Sequence, residues 1–242
     1  MDVSGSMAAT DVAPSRLDAA KQAALSFVNA QPDSVDIGVV AFQQGGLEAA
    51  LPTADHAIAS AAVRRLTAGG GTSLGDAVLA SLSAITRKVV TIGRDGSAPN
   101  IGYWPSATIV LLSDGQDEAG ATSGGTGADS DTDAATSVAE KAGVHIDTVG
   151  VGTSTGTTVD VDGYHLFTAL DEATLKSISQ ATGGTYHPAS DASELDGIAS
   201  SINLRLTVTN ESLPLAGAFI ALALALLAAG AVLTVTRSGR VV

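Results

Sequence analysis

Three short runs rich in apolar residues, Val35 to Phe42, Ala107 to Leu112 and Val144 to Val151, constrain this chain more than any other feature. Each has strand length, and the near-continuous Val35 to Phe42 is expected to be buried on both faces. Helical patterns stand between them. Pro14-Ser15-Arg16-Leu17-Asp18 starts the first, with Ser15 as cap and Asp18 three residues on, and Leu17, Ala20, Ala24, Phe27 and Val28 share one face to about Ala30. Further helices are expected over Asp55–Leu66, Ser73 to about Val90, Asp131–Ala142, Glu172–Ala181 and Ser193–Asn203. An antiparallel edge strand near Leu47–Leu51 and a short strand at Thr185–His187 complete the set, and residues 91–106, 114–130 and 152–171 read as loops. Strands alternating with helices give an α/β fold: a doubly wound, mostly parallel sheet with helices on both faces. Ligands of such sheets bind at the carboxyl ends of the strands.

The chemistry collects at those ends. In Asp2-Val-Ser4-Gly-Ser6 the alternate positions put three oxygen-bearing side chains on one side of an extended segment. Thr72 closes the glycine-rich run Gly69-Gly-Gly-Thr72, and Asp114 follows the apolar run ending in Ser113. Two carboxylates and three hydroxyls, with no Cys or His, suit a hard divalent cation such as Mg²⁺ better than Zn²⁺ or copper.

DVSGSM, GGGTSLGDAV and LLSDGQD, in this order, resemble the von Willebrand factor A domain and its metal-ion-dependent adhesion site. The resemblance runs from the first residue to about Ser201. It implies Ser4, Ser6 and Thr72 as hydroxyl donors to Mg²⁺, with Mn²⁺ or Ca²⁺ as alternatives, and Asp2 and Asp114 binding directly or through water. It also implies a protein ligand that presents Asp or Glu to the cation, and no catalytic base. GVHIDTVGVGT, LDEATLKSISQATGGTYHPASDASEL and an apolar C-terminal run are similar to bacterial membrane-anchored members encoded beside MoxR-type AAA ATPases. That similarity implies a cell-envelope protein, with other envelope proteins of this family and such an ATPase as partners. In the family an apolar strand precedes the first aspartate, and here only Met1 does, so the first central strand is expected to be missing and the start to be internal to a longer product.

Leu215 to Thr236 carries no charge and is long enough to cross a bilayer core of about 30 Å. Arg237 and Arg240 follow it, which places the C-terminus in the cytoplasm and the large domain outside. The expected division is residues 1–203 as domain, 204–212 as juxtamembrane linker, 213–236 as transmembrane helix in contact with lipid, and 237–242 as basic tail. A net charge of −13 argues against nucleic acid, and the absence of cysteine removes disulfides and thiol catalysis.

Two rival signals are weaker. Gly71-Thr-Ser73-Leu-Gly75 and Gly152-Thr-Ser154-Thr-Gly156 match the G-x-S-x-G of serine hydrolases, but neither serine has the required strand before it and helix after it. Asp129, Asp131, Asp133 and Glu140 have the spacing of a calcium loop, with Ala134 where the tight turn wants Gly. Acidic residues at a helix start are the simpler reading. A metal-independent structural protein of the envelope is the third alternative.

Overall fold

The three apolar runs form the expected strands, which fall into two hydrogen-bonded groups. The computed structural model describes residues 1–43, 46–93, 96–117, 127–161, 164–189, 223 and 227–233. Strand β1 (Ile37–Gln43) pairs antiparallel with β2 (Gly46–Thr53). Strands β3 (Thr108–Ser113), β4 (His145–Val151) and β7 (Tyr186–Ala189) are parallel in that order. Met1 to Val3 lie between the two groups. Asp2 N–H donates to the Leu112 carbonyl at 2.9 Å, Val3 N–H to Phe42 at 3.1 Å, and Phe42 N–H to Met1 at 3.1 Å. These three residues make a single parallel bridge, Asp2 to Phe42, rather than a strand.

Helices cover both faces because successive strand residues point to opposite sides. On one side Ile109, Leu111, Ile146 and Phe42 pack against α3 (Leu74–Thr86), α4 (Gly127–Lys141) and α5 (Glu172–Ala181). On the other, Ala41, Leu112, Val149 and Val151 pack against α1 (Arg16–Ala30), and Ile37 and Val39 against α1 and α2 (His56–Arg65). The Ser15 hydroxyl accepts from Asp18 N–H as the cap pattern requires, and Asp55 and Asp171 cap α2 and α5 in the same way.

Three expectations need correction. Helix α3 stops at Thr86 and does not reach Val90, because Arg87 takes a left-handed conformation (φ 55°) that ends the helix. Helix α4 begins at Gly127 rather than at Asp131, so Asp129, Asp131, Asp133 and Glu140 all lie within one helix, in line with the helix-start reading preferred over a calcium loop. Part of the stretch read as a loop over 152–171 is an antiparallel hairpin, β5 (Thr157–Val161) with β6 (Tyr164–Thr168).

The expected helix Ser193–Asn203, the linker 204–212 and the basic tail 237–242 lie outside the described residues. So does most of the expected span 213–236, of which 223 and 227–233 are described and helical, with Leu227, Val232 and Leu233 exposed. Among the described residues no helix is long and apolar enough to cross a membrane. The chain divides into two units, Met1–Leu206 and Thr207–Val242.

Candidate metal centre

Two loops meet at the carboxyl end of the sheet. Gly69 N–H donates to the Val3 carbonyl and Gly5 N–H to the Gly70 carbonyl, both at 2.7 Å. Gly70 has φ +77°, a conformation that lets the glycine loop turn back towards residues 3–5. These bonds place Thr72 in a loop held against the one carrying Ser4 and Ser6. Thr72 is buried and immediately precedes Ser73, whose hydroxyl accepts from Asp76 N–H and caps α3. The capping is done by Ser73, not Thr72. Ser4 likewise begins the 3₁₀ turn Gly5–Ala8 without a side-chain capping bond, and its hydroxyl lies 3.0 Å from that of Ser6. Helix capping therefore accounts for neither Ser4 nor Thr72.

Asp2 and Asp114 are both fully buried. Asp2 accepts from Ser4 N–H at 2.9 Å and from the Ser113 hydroxyl at 2.5 Å. Burial pushes the Asp2 carboxyl up to about 6, the neighbouring Asp114 carboxylate adds to this, and the bonds from Ser113 and Ser4 oppose it. Asp114 Oδ1 accepts from Gln116 N–H at 3.3 Å, while Oδ2 accepts from Arg16 Nη1 at 2.8 Å and the Thr168 hydroxyl at 3.2 Å. Arg16 is itself fully buried, and its Nε and Nη2 donate to the two oxygens of Asp11 at 2.7 Å each. Those contacts, with burial opposing, hold the Asp11 carboxyl down at about 2, helped by the Thr153 hydroxyl and N–H.

The donor set suits a hard divalent cation on two grounds. The Ser4 and Ser6 hydroxyls are hydrogen-bonded to each other at 3.0 Å, close enough to take neighbouring corners of an octahedron around Mg²⁺, about 3.0 Å apart. Secondly, the buried Asp2 carboxyl has Asp114 as a repelling neighbour, while the Arg16 guanidinium binds Asp11 and Asp114, so a cation would add positive charge beside Asp2. Among the described residues no three or more His, Cys, Asp or Glu gather as a metal-binding group.

The structure thus brings Asp2, Ser4, Ser6 and Asp114 to one end of the sheet, with Thr72 on the adjoining loop. Sequence reasoning missed Arg16, Asp11, Ser113 and Thr168. Arg16 stands four residues before Ala20 on the buried stripe of α1, and that spacing was the available signal. Of the hydrolase serines, Ser73 caps α3 and Ser154 is exposed in the turn before β5. His56 and His145 contact the backbone carbonyls of Val35 and Thr182.

Residues 1–116 match the von Willebrand factor type A domain family. A UPF0353 protein of Mycobacterium bovis is 32% identical over 208 residues, which cover 85% of this chain and 58% of that protein. The chain thus spans a little over half the length of this curated relative. A von Willebrand factor type A protein from Catenulispora acidiphila is 25% identical, with a TM-score of 0.57 over 82% of this chain and 39% of that one. An aerotolerance-related membrane protein from Bacteroides fragilis shares the fold with a TM-score of 0.62, at 23% identity over 84% of this chain and 93% of that one.

Proposed function

Because residues 1–116 match the von Willebrand factor type A domain family, we propose that this chain is a divalent-cation-dependent protein-binding module rather than an enzyme. Ser4, Ser6 and Thr72 would hold Mg²⁺, or Mn²⁺ or Ca²⁺ in its place, and Asp2 and Asp114 would bind it directly or through water and hold those hydroxyls in place. The observation that carries this reading is the gathering of the Ser4 and Ser6 hydroxyls, hydrogen-bonded at 3.0 Å, beside the buried Asp2 carboxylate, which has Asp114 as its neighbour. When bound, the cation supplies an electrophilic position for an oxygen from outside the chain. An Asp or Glu side chain of a partner protein has the charge and hardness for it. The chain's own part is to gather the hydroxyls, balance the charge and keep Asp2 and Asp114 fixed.

The test is calorimetric titration of MgCl₂ into the full chain. Saturable binding is expected, and Thr72→Val or Ser6→Ala, which delete a hydroxyl and little else, should weaken it by at least about tenfold. A folded chain that gives no binding heat with Mg²⁺, Mn²⁺ or Ca²⁺ would leave a structural protein as the better account.

The uncharged run Leu215 to Thr236 and the arginines after it support a membrane anchor with the domain outside the cytoplasm. Partners would then be envelope proteins, including others of the same family, with a MoxR-type AAA ATPase acting from the cytoplasmic side. Protease added to intact cells should digest residues 1–203. Complete protection, with digestion after lysis, would place the domain inside.

A further inference from the structure

Arg16 is the largest side chain that is fully buried, and the cation reading gives it no direct role. Its guanidinium is committed on every side. Nε and Nη2 grip the Asp11 carboxylate in a two-bonded fork, and Nη1 donates to Asp114 Oδ2 at 2.8 Å and to the Thr168 hydroxyl oxygen at 2.9 Å. Gly152 lies against it: a Cβ there would sit 2.9 Å from the guanidinium carbon, so no other side chain fits.

The partners of this cluster are the two feet of the β5–β6 hairpin. Thr153, at the first foot, gives its N–H and hydroxyl to Asp11 Oδ2 at 3.0 and 2.9 Å. Thr168, the last residue of β6, gives its hydroxyl to Asp114 Oδ2 at 3.2 Å. Leu170 N–H closes the base on the Thr153 carbonyl at 3.0 Å. The hairpin is therefore fastened to the sheet through Asp11, Arg16 and Asp114, and the last of these is also a carboxylate of the candidate cation site.

We propose that Arg16 is a positioning residue that links the cation site to the β5–β6 hairpin, making the hairpin the segment whose stability responds to the cation. This rests on the reading of Asp2, Ser4, Ser6, Thr72 and Asp114 as a cation site. Arg16 and Thr168 both bind Oδ2 of Asp114, which leaves Oδ1, with its one long bond from Gln116, as the oxygen available to a cation or its water. A cation there relieves the repulsion between Asp2 and Asp114 and fixes the carboxylate from its other side. Thr168 is then held by a group that can no longer shift, and the hairpin opens less often.

Hydrogen–deuterium exchange on the full chain with and without MgCl₂ tests this, with calorimetry on the same samples. In the wild type, amides of β5 and β6 should exchange at least about threefold more slowly with Mg²⁺. Thr168→Val, which keeps the shape and removes the hydroxyl, should retain Mg²⁺ binding within about twofold and lose the hairpin response. Arg16→Lys keeps the charge without the fork and should lose it also. A binding heat in the wild type with no change in hairpin exchange overturns the link while the cation site stands. Thr168→Val with the full hairpin response also overturns it. No binding heat from the folded wild type overturns both.

Discussion

Arg16→Met is expected to destabilise the domain by about 3–5 kcal/mol, the range for removing one member of a buried ion pair. Methionine matches most of the volume of the stem, so the loss would come from charge. Asp114, fully buried, would keep only Gln116 and Thr168 as donors, and Asp11 would lose both bonds of the fork. Urea unfolding with a common slope for both proteins is the measurement. A difference below about 1 kcal/mol would put the network in the class of surface pairs, which contribute little. Arg16→Lys should fall between the two, because it restores a charge and cannot reach Asp11, Asp114 and Thr168 together.

The second large effect is on the pH dependence of stability, and it has opposite signs at two residues. Asp2 is pushed up to about 6 in the fold from about 3.9 in an unfolded chain. Its contribution is fully present below about 4 and is lost as pH rises through about 6, a loss of about 3 kcal/mol. Asp11 is held down at about 2, so its contribution is present above about 4 and disappears as pH falls towards 2. With divalent cations chelated, the domain should therefore be most stable near pH 4 to 5. Excess MgCl₂ should restore much of the loss at pH 8, since binding to the folded state alone stabilises it. Asp2→Asn should flatten the alkaline side and abolish the Mg²⁺ response. Equal chelated stability at pH 5 and pH 8 would contradict the burial of an ionising Asp2.

What the sequence disclosed followed from which physical signals are local. Ser15 and Asp18 identify the start of α1, and Ala107 to Leu112 identifies β3 and so places Asp114 at its carboxyl end. Both depend on neighbours within a few residues. The hairpin did not show because only Val159 and Thr168 of its described side chains are buried, and its β6 residues His165, Leu166 and Phe167 face solvent. Its pairing is fixed instead by anchorage at Thr153 and Thr168, which is long-range. Arg16 was hidden by a sound expectation, that a charged residue at a helix start is solvated. Asp11, five residues earlier, and Asp114, ninety-eight later, compensate its burial, and the second of these partners is visible only in three dimensions.

The passage of Met1 to Val3 between β1 and β3 has a mechanical consequence. Among the described residues, the main-chain bonds joining β1–β2 to β3–β4–β7 run through these three residues, so the sheet behaves as two rafts caulked along one seam. Asp2 is in the caulking. Parting the rafts would draw Asp2 away from Leu112, Ser113 or Phe42, which breaks into the oxygen cluster. Conversely, whatever clamps the cluster also seals the seam, so a group bound there would strengthen the sheet.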